Sequence, residues 1–136
     1  MQSQAQPIES NIDLSSPESR KSMAKLVTKL FENWKLPVVD QLNLLGLSTT
    51  SRAMLTKYRT GTAIPNSRDM NDRIGLLLSI HKSLKLLYPY NQDFRYQWIS
   101  KRNQTMNNLC PVDIMKEKGI IGIATVTRHL DFLRGQ

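Results

Sequence analysis

A single cysteine, Cys110, is the whole thiol inventory of this 136-residue chain, so an internal disulfide and a thiolate metal cluster are both excluded. The two histidines, His81 and His129, fall in separate segments and share no spacing that would hold zinc, so no metal is expected. Long apolar runs are missing too. The densest, residues 74–80, is interrupted by Gly75 and Ser79 and is far too short to span a bilayer, so no membrane partner is expected. The first residues, MQSQAQPIESN, have neither the basic start nor the apolar centre of a signal peptide, and the expected compartment is the cytoplasm. No segment alternates apolar and polar residues as a half-buried strand does, which leaves an all-α fold.

Positive charge, by contrast, is in surplus. Nineteen Lys and Arg against eleven Asp and Glu give a net charge of +8. The surplus is spread along the chain, eight basic against five acidic residues through Gly61 and eleven against six beyond it. An anionic partner is favoured, either nucleic acid or an acidic protein surface.

Residues 37–61, PVVDQLNLLGLSTTSRAMLTKYRTG, predict two short helices around Gly46, the pattern of a helix-turn-helix. Pro37 suits a first helical position, and Val38, Val39, Leu42 and Leu45 recur on one face. Gly46 is expected to take a positive φ, with Leu47 folding back and Ser48 capping the second helix. That register turns Leu47, Met54, Leu55 and Tyr58 inward and Thr49, Arg52, Thr56 and Arg59 outward. With Thr50 and Lys57 beside them, these are the candidate contacts to operator DNA, since Arg bridges guanine acceptors and Thr bonds phosphate. A plain solvated helix face accounts for the same residues, so the motif alone leaves the choice open.

Around this motif the expected order is a polar arm over residues 1–15, disordered or loosely docked, a helix-turn-helix domain over 16–64 and a second helical domain over 65–136. Ser16-Pro17-Glu18 signals a helix start, with Met23, Leu26, Val27, Leu30 and Phe31 on its apolar face. The longest helix runs over about residues 67–88, with Asp69 and Asp72 favoured by its dipole and Pro89 beyond its end. Asn91 caps a helix that buries Phe94, Trp98 and Ile99 and leaves Arg95, Lys101 and Arg102 wet. Pro111 opens a short helix, GIIGIA at 119–124 reads as a helix-helix turn, and Val126, Leu130 and Leu133 face inward on the last helix.

Taken in order, LLGLS at 44–48, RIGLLLSIHKSLKLLYP at 73–89, Trp98-Ile99, Cys110-Pro111-Val112-Asp113 and RHLDFLRG at 128–135 carry a resemblance to the Xre/MbcA/ParS antitoxin family over roughly residues 20–135. The resemblance implies an Xre/Cro-like helix-turn-helix bundle packed on a C-terminal toxin-binding domain. It implies an antitoxin that neutralises a RES-domain, NAD-degrading toxin by occluding its active site and represses its own operon. No catalysis of its own and no cofactor follow from it, and a homodimer is the expected assembly. The inhibitory surface it implies lies on Arg128, Leu130, Asp131, Arg134 and Gly135, with the chain's terminal carboxylate beside the guanidinium. The chain departs from the family in having Asn107 and Asn108 where glycine is usual, and Cys110 where Ser or Thr often precedes the proline. Asn tolerates positive φ, whereas Cys is a poor cap. The alternative is a stand-alone helix-turn-helix regulator without a toxin partner.

Overall fold

The computed structural model describes residues 15–135. The arm expected over 1–15 therefore lies outside the described residues except for Ser15, and Gln136 with its carboxylate lies outside them as well. Among these residues seven α-helices follow one another: α1 (Pro17–Asn33), α2 (Val38–Leu44), α3 (Arg52–Arg59), α4 (Arg68–Leu87), α5 (Gln92–Gln97), α6 (Pro111–Glu117) and α7 (Gly119–Leu133). Short 3-10 turns occupy Trp98–Ser100 and Gln104–Met106. Among the described residues extended pairing is confined to one isolated bridge between Asn103 and Leu109, so the fold is all-α. None of these helices is long and apolar enough to cross a membrane.

Local chemistry sets most helix starts. Ser16 Oγ accepts the Ser19 N–H, Ser67 Oγ accepts the Met70 N–H and Asn91 Oδ1 accepts the Phe94 N–H, each satisfying an otherwise orphaned donor. Pro111 opens α6, while Cys110 at the cap position makes no side-chain bond. Asn107 and Asn108 both take left-handed backbone, with φ of 59° and 61°, as their place in the loop required. At the end of α4, Tyr88 leaves the helical region under the steric demand of Pro89.

α4 is the central rod. It packs against α1 on one side and α7 on the other, while α7 also lies along α6 and α1 supports α3. Met70, Ile74, Leu77, Ile80 and Leu84 supply its buried face, whereas Leu78 and Leu87 reach only half-burial. Side chains of both expected domains, from Met23 and Phe31 through Leu42 and Tyr58 to Met115 and Leu130, belong to one buried cluster. An ion pair of 3.3 Å between Asp40 on α2 and Lys116 on α6 crosses the same boundary.

Several expectations are corrected. GIIGIA at 119–124, read from sequence as a helix-helix turn, forms the first turns of α7, and the break between helices falls at Lys118. Leu26 and Val39 stand about half exposed instead of facing the core, and Leu44 takes an inward place on α2. Pro37 sits just ahead of α2 with extended backbone, one position before the helix. Arg95, expected in water, is buried because its guanidinium donates to the Tyr88 and Pro89 carbonyls at 3.1 and 3.2 Å, filling acceptors that the end of α4 leaves open.

Candidate nucleic-acid and protein interfaces

The α2–α3 unit turns on Gly46. Its φ is 73°, its N–H donates to the Asn43 carbonyl at 2.9 Å and the Leu47 N–H donates to the Leu42 carbonyl at 2.8 Å, the paired bonds of a Schellman ending. Leu47 folds back, half-buried, against the core. A second constraint comes from α4: Arg73 donates to the Leu44 carbonyl at 3.3 Å, and a Cβ on residue 46 would sit 2.9 Å from that guanidinium. Gly46 is thus required by the sign of its φ, while the Arg73 guanidinium packed against it would have to shift to admit a Cβ.

Ser48 does not cap α3. Its Oγ accepts the Thr50 N–H at 3.2 Å and pairs with the Thr50 hydroxyl at 2.9 Å, a local turn that competes with helix initiation. α3 therefore starts at Arg52, and residues 45–51 make a connection longer than the roughly three to four residues usual for the motif. Thr49 and Thr50 lie in that connection, not on the helix, and both are exposed.

Leu55 and Tyr58 anchor α3 inward, and burial pushes the Tyr58 hydroxyl pKa upward, so it stays protonated. Arg52, Thr56 and Arg59 follow at helical spacing on one outward face, with Lys57 exposed to the side. Arg59 pairs with Glu32 of α1 at 3.0 Å, a partner that lies far from it in sequence. Both side chains of that pair are about two-fifths exposed, so water and ions screen it.

At the other end, α7 separates the five residues placed on it by resemblance. Arg128 is exposed, Asp131 half-exposed and Gly135 exposed with a φ of 85°. Leu130 is 0% exposed and belongs to the core, so it offers no surface to a partner. Arg134 is turned back onto the protein: it donates to Ser83 Oγ at 3.0 Å and lies 3.8 Å from Asp131. The surface of α7 is made instead by Ile121, 68% exposed, Arg128 and Phe132, 77% exposed, which share one helical face, with Leu133 partly exposed next to Phe132. The inward spacing of Val126 and Leu130 is the signal in the sequence that puts Ile121 and Phe132 on the opposite side.

The remaining chemistry-bearing groups are occupied locally. His129 Nε2 is 3.0 Å from Thr105 Oγ1, His81 stacks on Tyr96 with ring centroids 6.3 Å apart, and Trp98 is buried as expected. Among the described residues no three His, Cys, Asp or Glu side chains converge as metal ligands. A groove of about 590 Å³ between α1 and α4 is lined by apolar residues including Met23, Leu26, Ile74 and Leu78, and its titratable neighbours are His81, Lys82 and Lys85. It has the character of an open apolar trough rather than a site for acid–base chemistry.

Compared with models of known protein families, the chain matches none, and it matches no curated protein.

Proposed function

We propose that this chain is a bacterial antitoxin of the RES–Xre type: it neutralises a RES-domain, NAD-degrading toxin through the outer face and end of α7 and represses its own operon through α3. The observation that supports this reading best is Phe132. A phenylalanine 77% exposed beside a half-exposed Leu133, on a helix otherwise fixed by Val126 and Leu130, gains from being covered by a protein partner. Arg128 on the same face supplies a guanidinium able to engage acidic or phosphate-binding groups around a dinucleotide pocket. The resemblance carried by residues 44–48, 73–89 and 128–135 supplies the identity of the partner.

The test is co-expression in a bacterial host with a RES-domain toxin encoded beside this gene. Full-length chain should restore growth and co-purify with the toxin, and Phe132→Ser with Arg128→Ala should lose both while remaining folded. Normal rescue by that double variant would place inhibition elsewhere. Absence of any complex would remove the antitoxin reading.

A second reading, a stand-alone helix-turn-helix regulator, draws on the outward Arg52, Thr56 and Arg59 row and the net charge of +8. It predicts operator binding that Arg52→Ala weakens, with no toxin partner. In either case a homodimer reading a two-fold operator is the proposed assembly, and the cytoplasm the proposed location.

A further inference from the structure

We propose that Lys21, Lys25 and Lys29 on α1 form a second DNA-contacting track, one that grips phosphates flanking the segment read by α3. This rests on the reading of α3 as a DNA-binding helix. The three lysines recur every fourth residue and are all exposed, so they form a straight row with about 6 Å of helix rise between neighbours. No acidic residue occurs between Glu18 and Glu32, which bound the row on the same face. Glu18 lies 3.4 Å from Lys21, but that carboxylate is 84% exposed and holds the lysine weakly. Glu32 is taken up by Arg59.

The geometry joins the row to α3. Arg59, last on the outward face of α3, bonds Glu32, last on the α1 face, so the two surfaces are continuous at that pair. Halfway along, the Lys25 side chain lies against Gly61, just past the end of α3, at a distance where a Cβ on residue 61 would be 3.1 Å from Cε. The neighbouring Arg20 is used differently, donating to the Ile64 and Ser15 carbonyls, so it fixes the chain instead of extending the row. Lysines of this kind are point charges on flexible stems, suited to phosphate and indifferent to base identity. The partner is therefore a duplex backbone, engaged beyond the bases that Arg52 and Thr56 face.

The experiment compares wild type, Lys21→Gln/Lys25→Gln/Lys29→Gln and Arg52→Ala for binding to a duplex carrying the promoter of this gene and to a random duplex, over a range of salt. Each phosphate contact contributes about 0.9 to the slope of log affinity against log salt. The triple variant should lower that slope by about two to three and weaken both duplexes equally, keeping their ratio. Arg52→Ala should instead reduce the ratio. Replacing all three lysines by arginine should preserve the slope. A triple-glutamine variant whose slope equals that of wild type overturns the α1 track while leaving α3 as the reader. Wild type that binds neither duplex removes the α3 reading, and the track with it.

Discussion

The Arg134 guanidinium donates to Ser83 Oγ at 3.0 Å, and Ser83 is fully buried in α4, so the last turn of α7 is latched to the central helix. A residue that resembles an inhibitory finger in sequence is thereby engaged as an anchor. Arg134→Ala should lower stability by about 1 to 2 kcal/mol, because a buried hydroxyl loses its charged partner. In a Ser83→Ala background the same substitution should have a smaller effect, and a double-mutant cycle by urea unfolding measures the difference. Additive losses would show that the latch contributes nothing.

Leu130 and Phe132 lie two residues apart on α7 and should respond in opposite ways. Leu130→Ala removes a fully buried side chain and should destabilise the protein by about 3 kcal/mol. Phe132→Ser should change the unfolding free energy by no more than about 0.5 kcal/mol, because its ring is largely in water already. Toxin neutralisation, if it uses this face, should follow Phe132 and not the stability ranking. Measuring growth rescue beside the urea midpoint of each variant separates the two effects.

Gly75 and Gly122 give a second pair of opposite sign. A Cβ on Gly122 would run into the Ile114 carbonyl oxygen of α6, whereas one on Gly75, midway along α4, meets nothing within 4 Å. Gly122→Ala should force α6 and α7 apart and destabilise by about 2 kcal/mol. Gly75→Ala should stabilise by roughly 0.5 to 1 kcal/mol through helix propensity alone. Thermal unfolding of the two variants gives the sign directly; a stabilised Gly122→Ala would mean that the α6–α7 contact is looser than its geometry.

Where sequence reading succeeded, the determining interaction is local. Ser16 and Asn91 bind N–H groups three residues on, and Gly46, Asn107 and Asn108 adopt positive φ for reasons contained in their own backbone. Where it failed, a distant group decided the outcome. Arg95 is buried by carbonyls at the end of another helix, and Arg59 bonds Glu32 across the α1–α3 contact. Ser48 is the informative exception, a local residue misread because two local bonds compete and the turn to Thr50 prevails over the helix cap. On α7, Val126 and Leu130 face inward as their spacing predicts, whereas Leu133, expected beside them, is 41% exposed at the end of the helix. Leu130 fills the core and has no surface left for a partner.

Asp40 and Lys116 join the α2–α3 unit to α6 at 3.3 Å, with Lys116 also 3.6 Å from Asp113. Asp40 is only 16% exposed along its side chain, so the pair should exceed an ordinary surface contact. A double-mutant cycle with Asp40→Asn and Lys116→Met should give a coupling of about 1 kcal/mol. Coupling near zero would leave the shared hydrophobic core as the link between the two halves.

His81 provides the pH dependence. Desolvation first, then the positive charges of Lys85 and Arg95, hold its pKa below the ordinary 6.5. The folded protein thus rejects a proton that the unfolded chain accepts, and protons accumulate preferentially on the unfolded state once pH falls below about 6.5. This group's contribution is fully present above the unfolded pKa and is lost as pH falls through that value toward the folded one. Wild-type stability relative to His81→Gln should accordingly decline between about pH 7.5 and pH 5. Urea unfolding of both proteins at several pH values checks the sign, since carboxylate titrations common to the two cancel in the difference. A difference that rises on acidification would mean that folded His81 binds its proton more tightly than the unfolded chain does, contrary to a half-buried ring stacked on Tyr96 beside two cations.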